Sequence, residues 1–212
     1  MPSVTRKPQT ARKQQRREEL GQKLLAATER LMGEGLAFTE LSVDRLASEA
    51  GISRATFYVY FEDKSQLLRG LAQQVFAELT DAARGWWDVA DRGEVADLER
   101  SINKIIARYR EHQLVLHAVI EMSAYDADVA EVYRGIFDGI VEAVAGIIER
   151  GQADGMMSGL PSRETAAALT WMVERTCHQT LRFSSPDGDA ELTRAMTEII
   201  WRTLYVRSSD AG

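Results

Sequence analysis

Few side chains in this sequence are intrinsically reactive: Cys177 and the three histidines His112, His117 and His178. Cys177 and His178 are neighbours, and adjacent side chains on a helix diverge by about 100°. They therefore cannot form the thiol–imidazole pair that nucleophilic catalysis needs. His112 and His117 match no metal-ligand spacing, and the chain contains no HExxH, no phosphate-binding glycine loop and no serine elbow. No catalytic residue, metal site or cofactor is expected. The chemistry these residue types do offer is non-covalent. Ser53, Arg54, Ala55, Thr56, Tyr58 and Tyr60 set a guanidinium and several hydroxyls within one short stretch, groups that hydrogen-bond phosphates and base edges. A second set, Thr170, Val173, Glu174, Cys177 and His178, shares one helix face by its spacing. A core stripe seldom combines Thr, Glu, Cys and His. Burying an unpaired carboxylate is costly, so Glu174 is paired, exposed or lining a polar cavity. Arg175 beside it should point about 100° away.

The first set requires a scaffold that presents one short helix outward, and residues 42–64 describe one. Ser42 is a good N-cap, and Asp44 places negative charge at the positive helix end. Val43, Leu46, Ala47 and Ala50 form an apolar stripe at helical spacing. Gly51 follows, where the helix must end in a conformation that glycine takes without strain. Ile52 can plug the corner and Ser53 can cap a second helix. Phe57, with Tyr60 or Phe61, should point inward, leaving Arg54, Ala55, Thr56 and Tyr58 free to meet a partner. Ala47 is small where a second helix must cross closely. These features make a helix-turn-helix; the polar outer face of so short a second helix argues against a plain helical hairpin.

The rest of the chain reads as all-α. A helix over about 13–32, with Leu20, Leu24, Ala27 and Leu31 on its apolar face, should pack with the helix-turn-helix, Phe38 and Leu41 anchoring the connection. Asp63 caps a long helix running to about Trp87, and Gln66 stands at capping-box spacing. Leu67, Leu68, Leu71, Val75, Phe76 and Leu79 make its core face. Further helices are expected over about 94–112, 113–124, 127–152, 162–184 and 188–207, with breaks at 91–93, near Tyr125 and Asp126, at 151–162 and at 184–189. Gly135, Gly139 and Gly146 fall inside one of them, each costing about 1 kcal/mol of helix propensity. Either a close helix crossing, the commoner explanation, or space left for a ligand should offset that cost. The resulting division is a basic arm over 1–12, a DNA-binding domain over 13–62 and a helical domain over 63–212.

Charge is distributed in the same sense. The chain is acidic, with a formal charge of −6, yet Arg6, Lys7, Arg12, Lys13, Arg16 and Arg17 stand in the first seventeen residues with no acid among them. A basic arm beside a helix-turn-helix is an electrostatic footprint for the phosphate backbone. The single cysteine excludes an intrachain disulfide and fits a reducing cytoplasm. No apolar signal region is visible at the start. The most apolar run, 136–148, is interrupted by Asp138 and Glu142 and is too short for a membrane span of ~20 residues.

The run GISRATFYVYFEDKSQLL resembles the DNA-binding signature of the TetR family of bacterial transcriptional regulators, the match covering roughly residues 22–70. The segments WMVERT and IIWRTLYV resemble the corresponding helices of the ethionamide-type mycobacterial branch of that family, which holds a long apolar ligand tunnel. The resemblance implies a homodimeric, ligand-responsive regulator, most often a repressor, on a palindromic operator in double-stranded DNA. The alternative is a DNA-binding regulator with no small-molecule effector. Carried onto this sequence, Arg54 reads a base, while Ser42, Thr56, Tyr58, Tyr60 and Lys64 contact phosphates, with Ser53 and Ala55 completing the surface. Family members often have glycine or proline where Ala55 stands, so the base preference does not transfer. The tunnel lining would come from Trp86, Trp87, Ile105, Tyr109, Met122, Tyr133, Phe137, Ile140, Thr170, Trp171, Val173, Glu174, His178 and Trp201. The last two helices, through residues such as Ala166, Leu169, Met196, Ile199, Ile200 and Leu204, would form the dimer. The long helix 64–87 would carry a tilt between the two domains.

Overall fold

The structure is a computed structural model that describes residues 9–90 and 94–205. The described residues form nine α-helices and no strand: α1 (Gln9–Gly33), α2 (Val43–Glu49), α3 (Arg54–Tyr60), α4 (Lys64–Trp87), α5 (Val95–Glu111), α6 (Gln113–Met122), α7 (Ala127–Ala153), α8 (Ser162–Thr180) and α9 (Asp189–Tyr205). Helix α1 starts earlier than expected, so residues 9–12, assigned to the arm, are helical. Residues 1–8 of the arm, the break at 91–93 and the end of the last helix lie outside the described residues.

Each start in the head has a local cause. Ser42 accepts from Arg45 N at 3.2 Å, Ser53 from Thr56 N at 3.0 Å and Asp63 from Gln66 N at 2.7 Å. The Gln66 side chain bonds the N–H of Glu62, one residue before the cap, instead of closing a regular capping box. Gly51 ends α2 at φ +68°, in the left-handed region predicted for it. Phe57 and Phe61 are the aromatics turned inward, and Tyr60 is half-buried. They pack with Leu24, Leu46 and Ala47, all buried, to close the three-helix head.

Helix α4 packs against α5, α7 and α6, α8 packs on α7, and α9 packs on α5. The head meets this bundle where α1 touches α4 and α6. A polar joint fastens the contact. His112, at the α5–α6 junction, is buried between Glu29 of α1 (Nδ1 to Oε1, 2.7 Å) and Glu78 of α4 (Nε2 to Oε2, 3.1 Å). At the start of α4, Ser65 donates to Asp126 and Arg69 pairs with Asp128 at 3.1 Å, tying α4 to the first turn of α7.

Helix α8 ends at Thr180, short of the expected 184, because Arg110 of α5 claims the following loop. Its guanidinium donates to the carbonyls of Leu181, Ser184 and Ser185 at 3.0–3.1 Å and makes a bidentate pair with Asp189 at 2.6 Å. Those carbonyls are then unavailable to a continuing helix.

Candidate functional site: a recognition face and an apolar cavity

Helix α3 is anchored by buried Phe57, and its other faces look outward: Ser53, Arg54, Ala55 and Tyr58 are exposed and Thr56 is half-buried. Arg54 is held in place. Its Nη1 lies 2.6 Å from Asp44 Oδ2 of α2, and its guanidinium sits 5.5 Å from the Tyr58 ring centroid. Both partners of the ion pair are well solvated, so the pair orients Arg54 at little cost to exchange. Val59, 75 % exposed, adds an apolar side chain to this surface that sequence reasoning passed over. The Ser53 and Thr56 hydroxyls, 2.8 Å apart, bond each other.

Lys64 is placed differently from the phosphate contact expected of it. Its Nζ donates to the carbonyls of Leu41 at 2.5 Å and Thr39 at 2.9 Å, with Phe38 O at 3.5 Å. Burial lowers its pKa from the ordinary lysine value. The ammonium thus staples the start of α4 to the turn before α2, using protons a phosphate would otherwise receive.

Inside the bundle, α4, α5, α7, α8 and α9 enclose a cavity of about 130 Å³. Of the residues expected to line it, Trp86, Trp87, Ile105, Tyr109, Phe137, Ile140, Thr170, Val173 and Glu174 do so. Five do not. Tyr133 packs behind Phe137 with ring centroids 4.9 Å apart and planes tilted by 52°, and Trp171 lies parallel to Phe137 on its outer side at 4.5 Å, 37 % exposed. Trp201 stacks on Tyr205 at 4.1 Å, and His178 stacks on His117 at 5.6 Å. Met122 closes α6, where its carbonyl accepts from Tyr125 and Asp126. The unexpected lining includes Phe76, Leu79, Thr80 and Ala83 of α4, Leu98, Ser101 and Ile102 of α5, Val144 of α7, Leu169 and Cys177 of α8 and Ile200 of α9. The small or polar interruptions of apolar stripes, Thr80, Ala83 and Ser101, were the signal available for them.

Glycines Gly135 and Gly139 of α7 are not sites of close packing. A Cβ at either would meet nothing within 4 Å. Gly139 borders a second, open groove between α4 and α7, which shares Phe76, Thr80, Trp87 and Ile140 with the cavity. Both glycines lie on the exposed face of α7, so no close helix crossing offsets their cost.

The lining is mostly apolar, with Thr80, Ser101, Tyr109, Thr170 and Glu174 as its polar members. Glu174 is buried, 5 % exposed, and among the described residues neither carboxylate oxygen has a hydrogen-bond partner. The hydroxyls of Tyr109 and Tyr133 are also buried without partners. Tyr133 faces the Glu174 carboxyl without closing a bond of regular geometry. Arg175 folds back instead of diverging as expected, bringing Nε to 3.6 Å from Glu174 Oε2, with half of its side chain in water. Burial raises the pKa of Glu174, while Arg175 and Tyr133 pull it back. Burial, reinforced by the Glu174 charge, pushes up the Tyr109 and Tyr133 phenols and lifts the Cys177 thiol to about 12. Cys177 is therefore an inert wall residue rather than a nucleophile. Among the described residues no cluster of His, Cys, Asp and Glu could hold a metal ion, and no helix is long and apolar enough to cross a membrane.

The comparisons agree with this geometry. Residues 24–71 match the family described as bacterial regulatory proteins, tetR family, and residues 98–206 match the C-terminal domain of the transcriptional regulator EthR. The chain is 32 % identical over 186 residues to the HTH-type transcriptional regulator EthR of Mycolicibacterium smegmatis, covering 84 % of this chain and 82 % of that protein. To the regulator of the same name from Mycobacterium tuberculosis it is 31 % identical over 209 residues, or 96 % and 94 % of the two chains. A TetR-family regulator from Mesorhizobium loti shares the fold with a TM-score of 0.72 at 17 % identity, over 94 % of this chain and 100 % of that one. A head built on Gly51 and an EthR-type bundle around Glu174 are thus two matched parts of one chain, which belongs to the TetR family of bacterial transcriptional regulators.

Proposed function

We propose that this regulator is a homodimeric, cytoplasmic repressor that binds a palindromic operator and releases it when an apolar or amphipathic small molecule enters the α4–α9 cavity. The observation that carries the reading is the double membership of α4. Phe76, Leu79, Thr80, Ala83 and Trp86 of this helix line the cavity, while Lys64 at its start is bonded beneath the helix-turn-helix. Phe76 lies twelve residues along a continuous helix from Lys64, about 18 Å. A ligand that displaces the α4 wall would therefore swing the head and alter the distance between the two recognition helices of a dimer. In this reading α3 enters the major groove with Arg54 aimed at a base edge. Ser42, Ser53, Thr56, Tyr58 and Tyr60 meet the backbone, and the basic arm adds salt-dependent affinity. Lys64 contributes by holding the head to α4.

Selection of bound sequences from random duplexes tests the output, the expected result being a two-fold symmetric site. A screen of small apolar compounds for release of that duplex tests the input. Release by none, with the duplex bound tightly throughout, would favour a regulator with no small-molecule effector.

A further inference from the structure

Groups on the cavity wall with open hydrogen-bonding capacity specify more than an apolar ligand. Glu174 of α8 and Tyr109 of α5 line the cavity, and among the described residues none of their three terminal oxygens has a hydrogen-bond partner; the Tyr133 hydroxyl of α7 stands behind the lining, against the Glu174 carboxyl. Buried polar groups are ordinarily satisfied, and an unsatisfied set facing a cavity marks where a bound molecule completes the bonding. A carboxylate only accepts, and each phenol both donates and accepts, so the cluster has acceptors in excess. It is also acidic: among the described residues no Lys, Arg or His lines the cavity. Arg175 compensates incompletely, since it stands 3.6 Å away, outside hydrogen-bonding range, and is half in water.

We infer that the effector is a small amphipathic amine, whose ammonium or N–H group bonds Glu174 and Tyr109 while an aromatic or short aliphatic body fills the apolar remainder. Size follows from volume. A cavity of about 130 Å³ is close to one that accepts a single benzene ring (roughly 150 Å³), which places the body at about one ring with a short linker. Thr80, Ser101 and Thr170 supply the other hydroxyls on the lining. The open groove past Gly139 adjoins the cavity through Thr80, Trp87 and Ile140 and offers an entry. This inference rests on the ligand-responsive reading above and names the ligand class of that same site.

Calorimetric titration of the full chain with four probes of matched size tests it: 2-phenylethylamine, phenylacetate, phenylacetone and propylbenzene. The amine is expected to bind at least about tenfold more tightly than each of the others. Glu174→Gln should remove most of that preference while leaving propylbenzene unchanged, and Tyr109→Phe should weaken the amine alone. Equal or tighter binding of the acid or the ketone overturns the inference, as does an amine preference that survives both substitutions. Should Glu174→Gln fail to fold, Tyr109→Phe and the four-probe comparison in the unaltered chain decide the matter. Propylbenzene binding with no advantage for the amine overturns the ligand class and leaves the ligand-responsive reading standing. Absence of binding by all four, together with no release of operator by any compound in the wider screen, overturns both.

Discussion

Arg54 and Gly51 show how much can depend on single residues in this head. Arg54 is pre-oriented by Asp44 and Tyr58 yet remains in water, so replacing it should alter recognition far more than stability. Arg54→Ala is expected to lose about 1–3 kcal/mol of discrimination at one base position, with a thermal midpoint close to that of the parent chain; binding to a panel of operator variants measures it. Gly51 carries the opposite balance. A Cβ there would touch nothing within 4 Å, so the cost of Gly51→Ala is purely that of φ +68°. Denaturant titration should show a loss of about 1–2 kcal/mol, the penalty for an L-residue in the left-handed region. A loss of several kcal/mol would mean that the substitution disturbs packing as well.

At the scale of elements, the joint between α1, α4 and the α5–α6 corner has a pH dependence with a definite sign. Glu29 and Glu78 hold both nitrogens of His112 and raise its pKa, the Glu29 hydrogen bond being the largest cause. The protonated form therefore binds the fold better than it binds the unfolded chain. That stability is fully present below the ordinary histidine pKa of about 6.5 and is lost as pH rises through the raised folded value. Thermal midpoints recorded from acidic to alkaline pH should fall across that window in the parent chain and stay flatter in His112→Gln. His112→Ala leaves two carboxylates facing each other over a buried gap and should destabilise by about 1–3 kcal/mol. Because the joint links head to bundle, these variants should also change the coupling between ligand and operator.

Across the whole molecule, α8 and α9 each leave a large apolar side chain partly in water. Trp171 is 37 % exposed and Ile199 50 % exposed, whereas Ala166, Met196, Ile200 and Leu204, expected on the same interface, are buried within the protomer. The dimer surface we propose is thus narrower than the apolar pattern suggested. Ile199→Glu places a charge on that surface without touching the core. Sedimentation should show dimerisation weakened at least about tenfold, ~1.4 kcal/mol, with helical content unchanged and operator affinity reduced. An unaltered dimer constant would move the interface elsewhere.

What was legible in the sequence and what was not follow from the range of the forces involved. The helix-turn-helix is written in local signals: Ser42, Ser53 and Asp63 cap and Gly51 turns, each within four residues of itself, and Phe57 marks the inward face of α3. The sequence by itself therefore determined the head, the outward set around Arg54, the approximate helical division and the family. It also singled out the face of Thr170, Val173, Glu174, Cys177 and His178, because that combination of types is unusual on a buried stripe, and all of these but His178 line the cavity. Tertiary structure alone decided which aromatics enclose space and which stack behind it. Periodicity gives the face of a helix but not the distance to the next helix, so Tyr133, Trp171 and Trp201 could not be told from Phe137 and Trp86. It also set the Lys64 ammonium on carbonyls that lie more than twenty residues away in the chain. The cluster of Glu174, Tyr109 and Tyr133 has the same origin: three helices distant in sequence bring these groups together.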